Sequence, residues 1–406
     1  MKRTKVLFLG SYASQIAYDS TFDLHKRTGQ QLQKFGRLLT EGLCQNNIDV
    51  EVLCKMPVNR QNYDRIFFFR KKELINGIRY KYHFIINIPI LKSFFLVPSI
   101  ILFLTSRLIF SKKTVVFCDP MNTMHFYVSK IVTFILRRKL VALVTDVPLH
   151  YVGYLDRKIP FSMRFTSKIM SSANGYILIT KQMSDLVNPR NRPFVIVEGF
   201  SDFRLINKNN NLLDKKKPYV CMYAGGIVKE YGLENLIEAF IKCGMEDWEL
   251  HIYGGGKFSD ELSDICSIYK SIKYFGVKDN SYIIEKEYEA TILINPRISD
   301  FDYTKYSFPS KNIEYMSTGT PLLTTNLPGM PKEYLGYVYL FLGESVDEMT
   351  MTLNKTLRIP QNQLHEFGLN AKKWIQEEKN NIIQAQKIKL LITELLNSRR
   401  GEHHQE

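Results

Sequence analysis

Short apolar runs alternate with stretches whose apolar positions recur at helical spacing along almost the whole chain. This alternation predicts parallel sheets joined by crossover helices. The run at 5–9 reads as a first strand. Residues 29–44 follow as an amphipathic helix with Leu32, Phe35, Leu39 and Leu43 on one face, and 50–53 as a second strand. Runs at 114–118, 140–145, 175–179 and 194–197 continue the set. Residues 203–217, with their Lys-Asn-Asn-Asn and Lys-Lys-Lys runs, have little to bury and are expected to form a linker. A second set comprises strands at 219–224, 248–253, 291–295, 322–325 and 338–342, with a helix at 232–243. Residues 370–398 are helical by pattern.

The expected fold is α/β, with two Rossmann-like, doubly wound parallel-sheet domains facing across a cleft. The N-terminal domain is expected over 1–202 and the C-terminal one over 218–375. A helix at 376–398 would return to the first domain, and 399–406 would form a flexible tail. A length of 406 residues and an apolar content of 45% suit two cores of this size.

Six cysteines (Cys44, Cys54, Cys118, Cys221, Cys243, Cys266) are scattered without a CxxC pair, and several sit in apolar segments. A reduced, cytosolic protein is expected. The start, MKRTKVLFLG, has too short an apolar run for a secretory signal and reads as a strand. Net charge is +15 and unevenly spread. Residues 1–200 hold 30 Lys and Arg against 12 Asp and Glu, whereas 201–406 hold 25 against 28. The basic half is expected to face an anionic partner, and the inner face of a membrane suits it better than nucleic acid. Within 84–110 an apolar stretch is interrupted by Lys92, Pro98 and Arg107, leaving too few residues to span a bilayer. It reads either as an interfacial segment or as a buried core helix.

Candidate chemistry gathers at YSFPSKNIEYMSTGTPLLTT. Pro309 suits a helix start, and Gly319 with Pro321 a stop, which predicts a helix over 309–318. Ser310 and Lys311 lie in its first turn, where free N–H groups, the helix dipole and a lysine favour an anion. Glu314, one turn on, can accept hydrogen bonds from two neighbouring hydroxyls, as a ribose would offer. The same residues would also serve a plain helix start with Glu314 solvated. Gly225 and Gly226, with Lys229 nearby, follow one predicted strand, and Gly254, Gly255 and Gly256 follow the next. Such turns let backbone approach a phosphate or simply turn tightly. Neither GxGxxG nor the phosphate-loop lysine pattern occurs, so nicotinamide enzymes and nucleotide triphosphatases are not supported.

The succession YAGGIVKEYGLENLIEAF, HIYGGGKF, LINPR and FPSKNIEYMSTGTPLLTT resembles the retaining GT-B glycosyltransferases of family four, particularly bacterial enzymes that build surface polysaccharides. The match is strongest over 219–334. In the N-terminal half, RTGQQLQKFGRLLTEGLCQNNIDVEVL looks like the family's glycine loop and first helix, and ANGYILIT and EGFSD like its domain-closing strands. The resemblance implies transfer of a sugar from a nucleotide diphosphate sugar with retained configuration. Glu314 would hold the ribose, Ser310 and Lys311 the diphosphate, and Gly29 the diphosphate from the opposite domain. Arg297 could add a bidentate phosphate contact.

This chain departs from the family pattern at three places. Tyr306 stands where a glutamate usually contacts the donor sugar, and Gly226 and Tyr231 stand where an arginine and a lysine meet the diphosphate. Lys229, Lys311 and Arg297 would then neutralise the charge. Asp119 and Asp146, both after predicted strands, are the candidate catalytic carboxylates, with His125 and His150 as alternatives. The expected partners are the nucleotide-sugar donor, a lipid-linked or oligosaccharide acceptor and an anionic membrane surface, with no nucleic acid. No metal is expected, because no DxD-like pair stands at a strand end, and no cofactor beyond the donor. The alternatives are a catalytically silent relative that partners another transferase at the membrane, and a nucleotide-sugar epimerase of the same architecture.

Overall fold

The computed structural model describes residues 3–23, 29–88, 91–93, 95–147, 161–205 and 208–398. The chain divides into two compact units, one of residues 1–200 with 381–406 and the other of residues 201–380. Expected linker residues therefore belong to the second unit, where Phe203–Leu205 and Leu212–Asp214 form single 3-10 turns. Asn210 explains part of this placement: its amide donates to the Thr318 carbonyl (3.0 Å) and to Thr320 Oγ1 (2.9 Å). A polar run that looked solvated thus satisfies the carboxyl end of a buried helix.

The first unit holds an eight-stranded sheet. Its strands run in the order Phe194–Ile196, Gly175–Leu178, Lys139–Val144, Thr114–Cys118, Lys5–Gly10, Asp49–Cys54, Ile78–Tyr82 and Glu73–Ile75. All pairings are parallel except the last. The central strands are buried on both faces, as a sheet covered by helices on both sides requires. Strand order reverses between Lys5–Gly10 and Thr114–Cys118, which makes their carboxyl ends the topological switch point. The expected helix at 29–44 is Gln30–Gln45, capped by Gly29 at φ 70°. Its core-facing residues join a cluster with Ile388, Leu391, Ile392 and Leu395 of helix Asn381–Asn397. Asn381 and Lys389 fasten the two helices through the carbonyls of Leu38 (3.1 Å) and Asn46 (3.1 Å).

Residues 370–398, expected as one helix, form the end of Gln361–Glu378 and, after a break, Asn381–Asn397. At the break Lys379 is buried, ion-paired with Glu333 and set over the rings of Tyr334 and Trp374. Ser201 pairs with Asn380, so the two ends of the second unit lie side by side.

The apolar segment at 84–110 contains helix Leu96–Leu108, which buries Leu96, Ile100, Phe103, Leu104 and Leu108. Arg107 fixes it to the sheet through Glu51, with Nη2 and Nε both within 2.8 Å of Oε1, and Lys5 takes the other carboxylate oxygen at 2.7 Å. Burial opposes the charge on Glu51, but the hydrogen bonds from Arg107 and Lys5 outweigh it and bring the pKa down to about 2. Among the described residues no helix is long and apolar enough to cross a membrane.

The second unit holds a six-stranded, wholly parallel sheet in the order Ile272–Tyr274, Trp248–Tyr253, Tyr219–Ala224, Ile292–Asn295, Leu322–Thr324 and Tyr339–Leu340. Its core joins Cys221, Leu250, Ile252 and Ile292 of the sheet to Leu233, Leu236, Ile237 and Phe240 of helix Leu233–Cys243. Order reverses between Tyr219–Ala224 and Ile292–Asn295, so the switch point lies where Gly225 and Pro296 begin their loops.

Candidate functional site

Crevices at the carboxyl ends of strands beside a switch point are where doubly wound sheets take ligands. In the second unit three segments converge there: the turn at Gly225 and Gly226, the loop opening with Pro296 and Arg297, and helix Ser310–Thr318. Two glycines make the convergence possible. Gly232 has φ +75°, and a Cβ there would lie 2.0 Å from the Pro296 carbonyl oxygen. Gly254 has φ +133°, and a Cβ would lie 1.8 Å from the Gly225 carbonyl oxygen. Any side chain would push these loops apart. Gly255, at the tip of its turn, is exposed.

Helix Ser310–Thr318 begins directly after Pro309, without a side-chain cap, and ends at Gly319 with φ 81°. A buried polar chain holds it to the sheet. The Asn295 amide donates to Asn312 Oδ1 (2.6 Å), the Asn312 amide to Thr324 Oγ1 (3.4 Å), and the Thr324 hydroxyl to the Asn295 carbonyl (3.0 Å). Tyr315 ties the helix to the neighbouring strand: its hydroxyl accepts from the Ala224 N–H (2.8 Å) and donates to the Ala224 carbonyl (3.1 Å). Both bonds lie immediately before the Gly225 turn. The helix start is thereby placed against the glycine turn.

Two cations serve this corner. Lys311 Nζ lies 3.0 Å from Glu314 Oε1 and 3.9 Å from Glu287 Oε1, whose side chain is fully buried. Burial works against the ammonium, but Glu314, Tyr315 and Glu287 outweigh it and hold Lys311 above the ordinary lysine range. The Arg297 guanidinium lies 4.6 Å from the ring centre of Tyr231 and 5.7 Å from that of Tyr303. Ring faces of this kind favour a cation and hold its plane. Tyr231 also abuts Gly226, where a Cβ would lie 3.0 Å from the ring. Both cations bear on Tyr223: burial raises its hydroxyl's pKa, and the charges of Arg297 and Lys311 lower it. The Tyr223 hydroxyl donates to the Gly226 carbonyl at 2.9 Å.

The remaining candidates in this unit are placed differently. Lys229 is exposed, with its ammonium between Glu234 (2.8 Å) and Glu261 (2.7 Å). Tyr306 ends the 3-10 segment Asp302–Tyr306 and is half-buried. Ser310 is exposed in the first turn of its helix.

In the first unit, Asp119 follows strand Thr114–Cys118 at the switch point and is only 2% exposed. Its carboxylate accepts from the Met121 N–H (2.8 Å) and the Asn122 amide (3.2 Å), and Asn122 Oδ1 accepts from the Ser11 hydroxyl (3.2 Å). Burial pushes its pKa up to about 7; the two hydrogen bonds pull the other way, and the charge of Asp146 adds to the rise. Asp146 is the more exposed of the two and accepts from the Val147 N–H (2.8 Å). Gly29 is exposed at the start of its helix.

His125 does not face a site. It is fully buried, with Nε2 2.9 Å from Nε2 of His83, and burial lowers the pKa of both rings. Helix Thr123–Ile135 turns this position toward the sheet. His150 lies outside the described residues.

Glu287 and Tyr315 stand beside the site without having been picked out from sequence. Glu287 sits in EKEYE, which reads as a solvated charge run. Tyr315 passes as a core aromatic, although its place four residues after Lys311 puts it on the same helix face.

Residues 204–374 match the family described as Glycosyl transferases group 1. HepE of Anabaena, solved with UDP, is similar at 13% identity and a TM-score of 0.65, over 96% of this chain and 100% of that one. Sucrose-phosphate synthase from Thermosynechococcus elongatus is similar at 15% identity and a TM-score of 0.68, over 98% and 100%. S. aureus TarM, solved with Fondaparinux, alpha-GlcNAc-glycerol and UDP, is similar at 12% identity and a TM-score of 0.64, over 96% and 99%. No curated protein sequence matches the chain. The fold is the two-domain GT-B fold, and the matched segment, which takes in the whole of the corner just described, supports a GT-B glycosyltransferase.

Proposed function

We propose that this chain is a retaining, metal-independent glycosyltransferase. It moves a sugar from a nucleotide diphosphate sugar to a growing glycan carried on a polyprenyl diphosphate, in bacterial surface-polysaccharide synthesis at the inner face of the cell membrane. The observation that carries the reading is the cationic corner at the second unit's switch point, where Arg297 and Lys311 flank a glycine turn beside a helix N-terminus. HepE is solved with UDP and with UDP-glucose, which supports a uridine diphosphate donor here.

In this reading Arg297, Lys311 and the first-turn amides at Ser310 meet the diphosphate, with Gly225, Gly226 and Gly255 giving backbone access. Glu314 receives the ribose hydroxyls. As the bond to the sugar breaks, negative charge grows on the leaving diphosphate, and the two cations stabilise it. The leaving oxygen takes the acceptor proton, so no strong protein nucleophile is required. In the same reading Asp146, the more exposed of the two carboxylates, orients an acceptor hydroxyl. Asp119 holds the turn through Asn122 and serves as a positioning residue. Tyr306 replaces a carboxylate contact to the donor sugar with a phenol.

Calorimetry of the full chain against UDP, GDP, ADP, dTDP and CMP, with Glu314→Ala and Arg297→Ala alongside, tests the reading. One nucleotide is expected to bind selectively, and each variant to weaken it by ~1.5–3 kcal/mol, the range for hydrogen bonds to charged groups. No binding of any of the five would sink the reading in favour of a silent membrane-bound partner.

A further inference from the structure

Two helices of the first unit are apolar on both faces. Helix Leu96–Leu108 turns one face to the sheet and is fixed there by Arg107 on Glu51. Helix Thr123–Ile135 packs beside it. Their carboxyl ends are tied together by the Arg138 guanidinium, which donates twice to the Leu108 carbonyl (2.8 and 3.1 Å). An ordinary surface helix would carry polar residues on its outer face. Here Leu102 is 71% exposed, Phe110 83%, Phe134 74% and Ile135 69%. On the second helix Tyr127, Ile131 and Phe134 recur at helical spacing, so the exposed apolar positions form a stripe.

The charges around this face select its partner. From 84 to 138 the chain has seven Lys and Arg and one acid, Asp119, which is buried. Lys112 and Lys113 follow Phe110, and Arg137 follows Ile135; all three are exposed. Apolar rings and aliphatics bordered by cations match a surface whose interior is hydrocarbon and whose rim is anionic. A second copy of this chain would set the same cations against each other. At 13 residues the first helix is far short of a bilayer's thickness.

We propose that this helix pair is the lipid-docking face, lying in the plane of an anionic membrane with Leu102, Phe110, Phe134 and Ile135 in the acyl boundary and Lys112, Lys113 and Arg137 at the headgroups. Docking in this way deepens the membrane association proposed above by naming the surface that performs it, and it stands independently of the donor chemistry.

The test is co-sedimentation of the full chain with phosphatidylcholine vesicles, with and without phosphatidylglycerol, while UDP binding and the melting temperature are followed in parallel. The wild-type chain is expected to bind the anionic vesicles. Leu102→Ser with Phe134→Ser, and separately Lys112→Glu with Lys113→Glu and Arg137→Glu, are each expected to weaken that binding at least ~10-fold, given about fivefold for each cation near an anionic surface. UDP binding should not change. The charge variant alters only exposed side chains, so it reads out even if the apolar variant melts early. The proposal is overturned if the folded wild-type chain ignores anionic vesicles, if both variants bind as it does, or if light scattering shows a dimer that the apolar substitutions dissociate. Loss of UDP binding with vesicle binding kept would instead count against the donor site alone.

Discussion

The two sheets share a doubly wound plan with a central switch point and end in opposite chemistry. In the second unit the switch point holds ionised groups: Arg297 lies beside two tyrosine rings, and Lys311 is charged despite its surroundings because Glu314 and Glu287 face it. In the first unit the same place holds a carboxyl, Asp119, closed off from water and pushed toward its neutral form. Strand order provides the crevice in both cases. What each crevice can take is decided by whether its charge is compensated. A group met by opposite charges stays ionised, and one met mainly by apolar burial does not.

Substitutions can break this contrast, and the largest effect is expected at Lys311. Lys311→Ala removes the ammonium that faces two carboxylates, one of them fully buried. A loss of ~3–5 kcal/mol in unfolding free energy is expected, together with loss of nucleotide binding. Urea melts beside calorimetry would check both, and a fully stable variant would mean that Glu287 is compensated from elsewhere.

Asp119→Asn should come next, with the opposite sign. A carboxyl raised to about 7 in the folded chain contributes stability that is complete below about pH 4 and is lost as pH rises through about 7. Asparagine cannot ionise, so the variant should gain on the wild type by up to ~4 kcal/mol between about pH 4 and about pH 8. Parallel stability curves across that range would remove Asp119 from the contrast.

Tyr315→Phe leaves a buried N–H and a buried carbonyl of Ala224 without their phenol partner. A loss of ~1–3 kcal/mol is expected, with weaker nucleotide binding because the helix start is no longer held to the glycine turn. Unchanged affinity would show that the buried Asn295–Asn312 chain suffices. The smallest effect belongs to Lys229→Ala, with little change expected in either stability or nucleotide affinity, since its ion pairs are exposed and screened by solvent. A large loss of affinity there would bring Lys229 back beside Arg297 and Lys311.

The fold was largely legible because both sheets are built from buried parallel strands, whose continuous apolar runs stand out from amphipathic helices. Strands Ile78–Tyr82 and Glu73–Ile75 escaped notice because they form the antiparallel pair that ends the sheet, with Glu73–Ile75 at its edge, and charged and apolar residues mix there as in Arg79 and Lys81. Strand Ile272–Tyr274, also an edge strand, was hidden in the same way. The start and stop of helix Ser310–Thr318 could be read from Pro309 and Gly319 because each has a defined backbone preference. Arg297 was legible as a cation after a strand, but its two aromatic neighbours were not, since Tyr303 and Tyr231 meet it only through the folded loops. Burial hid the rest. Nothing in FCDPMN tells a solvent-facing aspartate from one at 2% exposure, and nothing in TMHFY shows that His125 points inward to His83.

Helix Asn381–Asn397 completes the core of the first unit from the far end of the chain, after the whole second unit has been made. During synthesis, therefore, the N-terminal sheet leaves the ribosome with one helical cover missing, and it waits for roughly half of translation before Leu391 and Leu395 arrive. The second unit, whose two ends meet at Ser201 and Asn380, has no such wait. The order of maturation is thus the reverse of the order of synthesis: the later unit can close first, and the earlier one is the last to become a finished domain.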